Sequence, residues 1–319
     1  MGSQARRVDP ESDRGAIRSG APPIALVTGG TDGIGKAIAL GLARAGVSVL
    51  LVGSNRQKGE AAADRLRKGA RNARVQFIQA DLSLMRDVET LATRIAAEGP
   101  QLRYLVLCAG MVRGRYGLTS EGLEANFALN YLGRFVLTQR LLPSLEAGGE
   151  ADAAARILVI NGAAENGKIH YEDVNLAARF NMLRAVAQFC GANDAFVVEQ
   201  ARRLVEAGLG PRVTIATLKV GAVRTKIREQ FPLWMKLLVP VLIDPFLAVE
   251  PEAIAASALR LLLDREFEGT TGALFLHIKR FKPASPAKRS HDAAQGARLW
   301  ELSQRLAAQA QASGATRAG

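Results

Sequence analysis

The chain has 319 residues, of which 48% are hydrophobic, and it carries a formal net charge of +12. This length and apolar content suffice for one large core, and two cysteines are too few for a disulfide framework, so we expect one domain in a reducing cytoplasm. The positive charge does not indicate nucleic-acid binding, because the basic cluster at residues 65–74 contains no aromatic side chains on which bases could stack.

The predicted fold follows from the order of apolar and amphipathic segments. Residues 1–22 show no periodicity and predict a disordered arm, whereas strand-like and helical segments alternate from residue 23. This alternation predicts an α/β fold: a doubly wound, Rossmann-type parallel sheet of about seven strands with helices on both faces. We expect strands at 24–29, 47–53, 75–82, 102–110, 156–162, 212–221 and 272–278, and helices at 35–45, 57–68, 85–97, 121–146, 180–207 and 251–263. The Rossmann domain is predicted to span 23–279, and a basic linker with a terminal helix to span 280–319.

The most apolar stretch of the chain, at residues 231–249, is interrupted by Lys236, Asp244, Pro240 and Pro245. A membrane-spanning helix would have to bury the charged side chains and would be interrupted at the prolines, so we expect no transmembrane segment. The stretch either packs on its own domain, covers a hydrophobic ligand or touches a membrane surface. Trp234 within it is a candidate substrate contact.

A glycine-rich segment, TGGTDGIGKA at 28–37, follows the first predicted strand directly. Gly29, Gly33 and Gly35 permit a tight turn, leave room for a pyrophosphate and let the next helix pack closely. The start of that helix offers N–H groups and a positive dipole end to the phosphates. The segment also fits the GxxxxGK pattern of a nucleotide-binding P-loop, but Ala37 stands where that loop needs a magnesium-binding hydroxyl. It therefore predicts a dinucleotide site.

With five further motifs, this segment resembles the short-chain dehydrogenase/reductase family, and it is most similar to the retinol-dehydrogenase-like branch over about residues 23–310. The motifs are ADL at 80–82, CAG at 108–110, GLEANFALNYLGRF at 122–135, VGAVRT at 220–225 and ARLWELS at 297–303. The resemblance implies a Rossmann fold that holds NAD(H) or NADP(H), with the nicotinamide facing a pocket under residues 226–250. The cofactor contacts that it implies are Thr28, Gly29, Thr31, Asp32, Gly33, Ile34, Gly35, Asp81, Leu82, Cys108, Ala109, Gly110, Val220, Gly221 and Thr225.

The end of the second predicted strand bears on the choice between NADP(H) and NAD(H). An acidic residue there would bind the adenosine ribose and repel a 2′-phosphate. The chain has Ser54 and Asn55 instead, with Arg56 and Lys58 nearby. NADP(H) is therefore expected in preference to NAD(H), with Ser54 and Arg56 as contacts. A site that takes no nucleotide at all is the alternative.

The segment that should carry the family's catalytic acid differs from the family pattern. Carbonyl reduction in the family uses a tyrosine as the proton donor, a lysine four residues later, a serine and an asparagine. Matching LRAVAQFCGAN, at 183–193, to the family's LRAYxxSKxAN puts Val186 at the tyrosine position and Cys190 at the lysine position. None of the four tyrosines of the chain is followed by a lysine four residues later.

The serine of the family pattern is missing as well. The chain has no serine between Ser144 and Ser257, and the strand end that should carry a serine offers Asn161, Gly162 or Ala163 instead. Asn130 is the one member of the tetrad that matches. The residues predicted to line the substrate pocket are Asn161, Gly162, Val186, Cys190 and Trp234.

Two side chains are candidates to replace the lost groups. Lys219 lies at the carboxyl end of a predicted strand, where such sheets bind ligands, and Tyr171 follows the strand that should carry the serine. The candidate catalytic residues are thus Asn130, Lys219 and Tyr171. A metal site is not expected, because the three histidines show no ligand spacing.

Three functions stay open from the sequence. The first is an atypical NADP(H)-binding enzyme acting on a hydrophobic small molecule, for example a polycyclic one. The second is a non-redox cyclase, isomerase or dehydratase in the same pocket, and the third is a catalytically inactive nucleotide-binding scaffold. If the chain forms a homodimer, the helices predicted at 121–146 and 180–207 are the expected interface.

Overall fold

The computed structural model describes residues 22–72, 74–99, 101–164, 167–221, 249–285 and 292–316. The predicted arm up to residue 21, the part of the apolar stretch that contains Trp234, and the cofactor candidate Thr225 lie outside the described residues.

The described residues form one sheet of eight strands in the order β3-β2-β1-β4-β5-β6-β7-β8. All neighbouring pairs are parallel except β7 and β8. The strands are β1 Ile24–Thr28, β2 Ser48–Gly53, β3 Val75–Gln79, β4 Leu102–Leu107, β5 Ala155–Gly162, β6 Val213–Val220, β7 Ala273–His277 and β8 Phe281–Ala284. The strand order reverses between β1 and β4, so a ligand crevice is expected at the carboxyl ends of these two strands. The doubly wound Rossmann-type prediction is confirmed.

Helices cover both faces of the sheet. They are α1 Gly33–Arg44, α2 Arg56–Ala70, α3 Met85–Glu98, α4 Ala125–Phe127, α5 Gly133–Gly148, α6 Met182–Glu206, α7 Pro251–Leu263 and α8 Ala293–Thr316. Helices α1, α2 and α7 contribute to one core, and α3, α5, α6 and α8 contribute to the other. Successive residues of a strand point to opposite faces, so Leu26 of β1 enters one core while Ala25 and Val27 enter the other. Burial on both faces explains the continuous apolar runs in the sequence.

The sequence predicts about seven strands, whereas the sheet has an eighth, β8. It pairs antiparallel with β7, with Phe281 opposite His277, and lies within the segment predicted as a basic linker. The Phe281 ring stacks on Phe275 with the centroids 5.4 Å apart, which holds this short strand on the sheet. Pro283 is tolerated because the strand is at an edge. The four residues of β8 include a lysine and a proline, so their sequence does not show the apolar pattern that predicts a strand.

The single helix predicted at 121–146 is instead interrupted. Glu124 caps α4 by accepting hydrogen bonds from the backbone N–H groups of Asn126 and Phe127, so the helix begins at residue 125. A π-helical segment, Ala128–Leu132, then joins α4 to α5. Such a wide turn is common near functional sites, and this one contains Asn130.

The terminal helix α8 packs on α6 and α3. Its Trp300 ring lies 5.0 Å from the Phe135 ring of α5, and the guanidinium of Arg203 lies 4.1 Å above Trp300. The Ser303 hydroxyl is 2.7 Å from the Tyr131 hydroxyl. The C-terminal helix is therefore part of the packed domain. Among the described helices, none has both the length and the apolar character needed to cross a bilayer.

Candidate active site

The glycine-rich turn has the geometry that a pyrophosphate site requires. Gly29 and Gly33 adopt left-handed backbone angles, with φ of 65° and 49°. A Cβ atom on Gly35 would lie 2.4 Å from the carbonyl oxygen of Gly29, so helix α1 can start against the turn only with glycine there. Asp32 caps α1 by accepting a 2.8 Å hydrogen bond from the Gly33 N–H. The positive end of α1 lies at the turn, together with Thr31 and Ile34.

A threonine joins this turn to the end of the neighbouring strand. The Thr28 hydroxyl donates to the Val106 carbonyl at 3.2 Å and accepts from the N–H groups of Cys108 and Ala109, at 2.9 and 3.0 Å. A Cβ atom on Gly29 would lie 2.8 Å from the Ala109 Cα. Two motifs about eighty residues apart therefore meet at the switch point of the sheet.

The region predicted to hold the adenosine end is cationic. Helix α2 begins at Arg56, and Asn55 caps it by accepting from the Lys58 N–H at 2.8 Å. Lys58 forms a 2.8 Å ion pair with Asp32, which joins α2 to the glycine-rich turn. Ser54 precedes the cap, and the first turn of α2 contains no acidic residue. The positive end of α2 together with Arg56 suits a 2′-phosphate.

The ADL motif is held by its own hydrogen bonds. One oxygen of Asp81 accepts from the N–H and the hydroxyl of Ser83, at 3.0 and 2.7 Å. A Cβ atom on Gly133 would lie 2.2 Å from the Leu82 carbonyl oxygen, so α5 starts in direct contact with this loop. These hydrogen bonds fix the position of Asp81, which the sequence predicts as a nucleotide contact.

Asn130 has a positioning role in the structure. Its side-chain N–H₂ donates to the carbonyls of Met111 and Asn126, at 2.7 and 2.8 Å. Its side-chain oxygen accepts from the Met111 N–H at 3.1 Å. A Cβ atom on Gly110 would lie 2.8 Å from this oxygen, so the CAG motif passes directly over Asn130. The side chain holds the backbone of that motif in place.

The positions assigned to the family's tyrosine and lysine carry no proton donor of ordinary acidity. Val186 is partly buried and packs against a core. Cys190 is fully buried, and its sulfur lies 2.9 Å from the place that a Cβ on Gly162 would take. Burial raises the pKa of the Cys190 thiol to about 11, and the nearby Asp194 also raises it. The thiol therefore stays protonated at neutral pH and acts as an apolar packing group.

Below Cys190 lies a buried polar network that the sequence did not reveal. The Asn161 amide donates to the Cys190 carbonyl at 3.0 Å and to one Asp194 oxygen at 2.9 Å. The other Asp194 oxygen accepts from the Lys219 ammonium at 2.7 Å. Both side chains are almost fully buried, at 2% and 7% exposed. The candidate cation Lys219 is thus neutralised by a carboxylate one helical turn after Cys190.

Asp194 was missed because its role needs a partner from another element. One signal was available: a carboxylate on the apolar face of a helix is rarely buried without a cation. The same applies to Arg134, which lies in the first turn of α5 and is also buried. The sequence predicted no role for Arg134.

Tyr171 is engaged with the C-terminal helix. Its hydroxyl lies 3.2 Å from both the backbone and the side-chain oxygen of Gln295, and the Arg298 guanidinium lies 4.1 Å above its ring. These residues line a cavity of about 290 Å³ between the loop at 167–171, α6 and α8. Burial raises the pKa of Tyr171. No hydrogen bond within the described chain joins it to Asn130 or Lys219, so its catalytic role stays a prediction.

The remaining predicted contacts lie at the end of β6. The Ala163 N–H donates to the Val220 carbonyl at 3.0 Å, and the Gly221 N–H to the His277 carbonyl at 3.4 Å. These bonds place the ends of β5, β6 and β7 at one edge of the sheet. Over the ranges that the structure describes, no group of three or more His, Cys, Asp or Glu side chains could hold a metal ion.

Comparison with known proteins gives one consistent family. The model of the short chain dehydrogenase family matches residues 23–235. The chain is 33% identical to Bos taurus retinol dehydrogenase 12 over 282 residues, which is 88% of this chain and 84% of the relative. It is 31% identical to human retinol dehydrogenase 13, covering 88% and 83%. Human polyprenol dehydrogenase is 29% identical and covers 81% and 78%.

Solved structures agree with this result. The NADP complex of Pseudomonas aeruginosa RhlG superposes with a TM-score of 0.63 at 26% identity, covering 80% of this chain and 94% of that one. A 3-oxoacyl (acyl-carrier-protein) reductase from Agrobacterium tumefaciens, with NADP bound, gives 0.61 at 26% identity over 80% and 92%.

Proposed function

The chain belongs to the short-chain dehydrogenase family, and we propose that it is an NADP(H)-binding oxidoreductase that acts on a hydrophobic small molecule without the family's serine, tyrosine and lysine. The observation that carries this proposal is a contrast within one site. The glycine turn packs so closely on the start of α1 and on the CAG motif that a Cβ atom at Gly35 or Gly29 would meet backbone, whereas the positions of the proton donor and its cation carry Val186 and Cys190.

The residues present fit a dinucleotide. The turn at Gly29–Gly35 and the positive end of α1 would hold the pyrophosphate. Asp81 would meet the adenine, and Arg56 at the positive end of α2 would meet the 2′-phosphate. When bound, the nicotinamide supplies or accepts a hydride. The two NADP complexes with similar folds support the phosphate-bearing form.

The substrate class rests on the relatives and on the sequence. Three of the relatives are named for retinol or for polyprenol, which are both apolar alcohols. The sequence at 231–249, most of which lies outside the described residues, is rich in the apolar and aromatic residues that suit such a molecule. We propose an apolar substrate for this chain on the same grounds.

Val186 and Cys190 supply no ionisable hydroxyl at the positions of the family's proton donor and its cation. We therefore expect reactions that do not need a proton from a protein hydroxyl at this place. Removing a general acid typically lowers the rate by about 10² to 10⁴. Lys219 cannot serve in its place while it is paired with Asp194, and the Cys190 thiol is too weak an acid at neutral pH. A substrate whose acceptor carbon is already activated, such as an iminium ion or an enone, needs less protonation as hydride arrives. We propose substrates of this kind.

The apolar lining at Val186 also favours a second candidate, a non-redox isomerase or cyclase. Such an enzyme would orient a reactive substrate by shape and proximity alone. It would form product without any change in the nucleotide.

The test measures NADPH oxidation by the purified chain with a panel of hydrophobic aldehydes, ketones, enones and iminium ions. We expect turnover of enones or iminium ions and rates about 10² or more lower for simple ketones. The variant V186Y/C190K/A163S is expected to gain ketone reduction, and V186F/C190M/A163S serves as the control without a hydroxyl or cation at the two key positions. Rapid ketone reduction by the unaltered chain would overturn the proposal. Product formed with no NADPH oxidised would favour the second candidate.

A further inference from the structure

Arg134 is a buried cation at the ligand-binding edge of the sheet. Its side chain is 6% exposed. One terminal nitrogen donates to the Ile160 carbonyl at 2.8 Å and to the Asn193 side-chain oxygen at 3.4 Å, and the other donates to the Ala109 carbonyl at 2.8 Å. The Nε–H group has no hydrogen-bond partner in the described structure. All three acceptors are uncharged.

The other buried cations of the described residues are neutralised. Arg156 forms an ion pair with Glu268, and Lys219 forms one with Asp194. Arg134 has the same burial as these two but no carboxylate within ion-pair distance among the described residues. Burying an uncompensated charge is costly, and proteins normally avoid it by pairing. Among the described residues, no ion pair therefore neutralises the charge of Arg134.

The guanidinium groups of Arg134 and Arg156 lie at opposite edges of the sheet. Arg156 lies at the amino end of β5, where its guanidinium donates to the carbonyls of Leu261 and Asp264. Arg134 instead donates to residues at the carboxyl ends of β4 and β5, where such sheets bind ligands. Its guanidinium lies 3.5 Å from the position that a Cβ on Gly110 would take. The guanidinium of Arg134 therefore lies directly against the CAG motif, and we call this position below the motif.

Burial lowers the pKa of Arg134 to about 10. The group thus keeps its proton at neutral pH. Because it is enclosed by protein, salt screens it much less than it screens a surface charge. An ion at the sheet edge above it would interact through a medium of effective dielectric about 20.

We propose that Arg134 makes the site discriminate between the two redox forms of the nucleotide, favouring the reduced form. This inference rests on the proposed function. The oxidised nicotinamide ring carries a positive charge, whereas the reduced ring is neutral. A fixed cation below the CAG motif repels the oxidised ring alone, so the protein binds NADPH more tightly than NADP⁺ and is set for reduction.

The test is calorimetric titration with NADPH and NADP⁺ of the unaltered chain and four variants. Arg134→Gln removes the charge, and Arg134→Lys keeps it. Asn193→Asp places a carboxylate next to the guanidinium and neutralises it without removing it. Arg156→Gln is the matched control, a buried arginine at the opposite edge of the sheet.

We expect the unaltered chain to bind NADPH about tenfold or more tightly than NADP⁺, which corresponds to about 1.4 kcal/mol. Arg134→Gln and Asn193→Asp should each bring this ratio close to one, while Arg134→Lys and Arg156→Gln keep it. Circular dichroism identifies folded variants, and either neutralising variant that folds decides the result. A ratio near one in the unaltered chain, or a ratio unchanged by neutralisation, overturns the inference and leaves the proposed function intact. No binding of either nucleotide to the folded chain overturns the proposed function itself.

Discussion

Single glycines decide whether the nucleotide turn can form. A Cβ atom at Gly35 would lie 2.4 Å from the Gly29 carbonyl oxygen, a distance that backbone cannot accommodate without moving. We expect Gly35→Ala to weaken NADPH binding at least tenfold while the chain stays folded, because the displaced turn no longer fits the pyrophosphate. Calorimetric titration measures this.

The matched control is Gly69→Ala, since Gly69 is also helical and an added Cβ there would be 3.4 Å from Leu40, an ordinary contact. It should bind NADPH as the unaltered chain does. Equal affinity of both variants would mean that the turn does not hold the nucleotide.

The buried pair of Lys219 and Asp194 gives a second prediction. Removing one partner leaves the other charged and buried, so Lys219→Met and Asp194→Asn should each lower the free energy of unfolding by about 3–5 kcal/mol. The double variant should lose clearly less than the sum of the two single losses. Urea denaturation measures all three. Strictly additive losses would show that the two side chains do not depend on each other.

At the residue scale, the sequence shows the glycines of the turn more readily than the charges of the site. The glycines and Asn130 act within motifs whose spacing is visible in one stretch of chain. Arg134 and Asp194 act through partners on other elements, and a sequence alone does not show which of its charged residues end up together. Their burial became visible only with the packed structure.

At the scale of elements, the errors lie where local pattern gives no guidance. The break at the π-helical Ala128–Leu132 is invisible to a search for helical periodicity, because α4 has only three residues and the π-helical segment only five. Strand β8 was read as linker because its four residues are stabilised by the Phe281 contact with Phe275 and not by their own pattern. In contrast, α7 was predicted with its observed bounds, since Pro251 marks its first turn.

Helix α8 bears on the expected dimer interface. It packs along α6, and its Trp300 contacts Phe135 of α5, so it covers parts of both helices that were expected to pair between subunits. We expect the full chain to be a monomer of 34.0 kDa by light scattering. Deleting residues 286–319 should expose the aromatic cluster and cause self-association. A dimeric mass for the full chain would contradict this expectation.

At the scale of the whole molecule, the alternation of apolar and amphipathic segments was enough to predict the architecture. Strands buried on both faces read as continuous apolar runs, and helices that pack on one side show one apolar stripe, so the two are easy to distinguish. The same pattern predicts which edge of the sheet binds a ligand, since the carboxyl ends of parallel strands meet there. Substrate and reaction are not encoded in such patterns, because they depend on side chains that the fold gathers from distant segments.

The central claim is that this scaffold keeps a working NADP(H) site although its chemical positions have changed. The most direct test is calorimetric titration of the purified chain with NADPH, NADP⁺, NADH and NAD⁺, after showing that no nucleotide was carried through purification. We predict micromolar binding of NADPH and at least tenfold weaker binding of NADH, because Arg56 and the start of α2 have no 2′-phosphate to contact. No binding of any nucleotide up to millimolar concentration would contradict the claim.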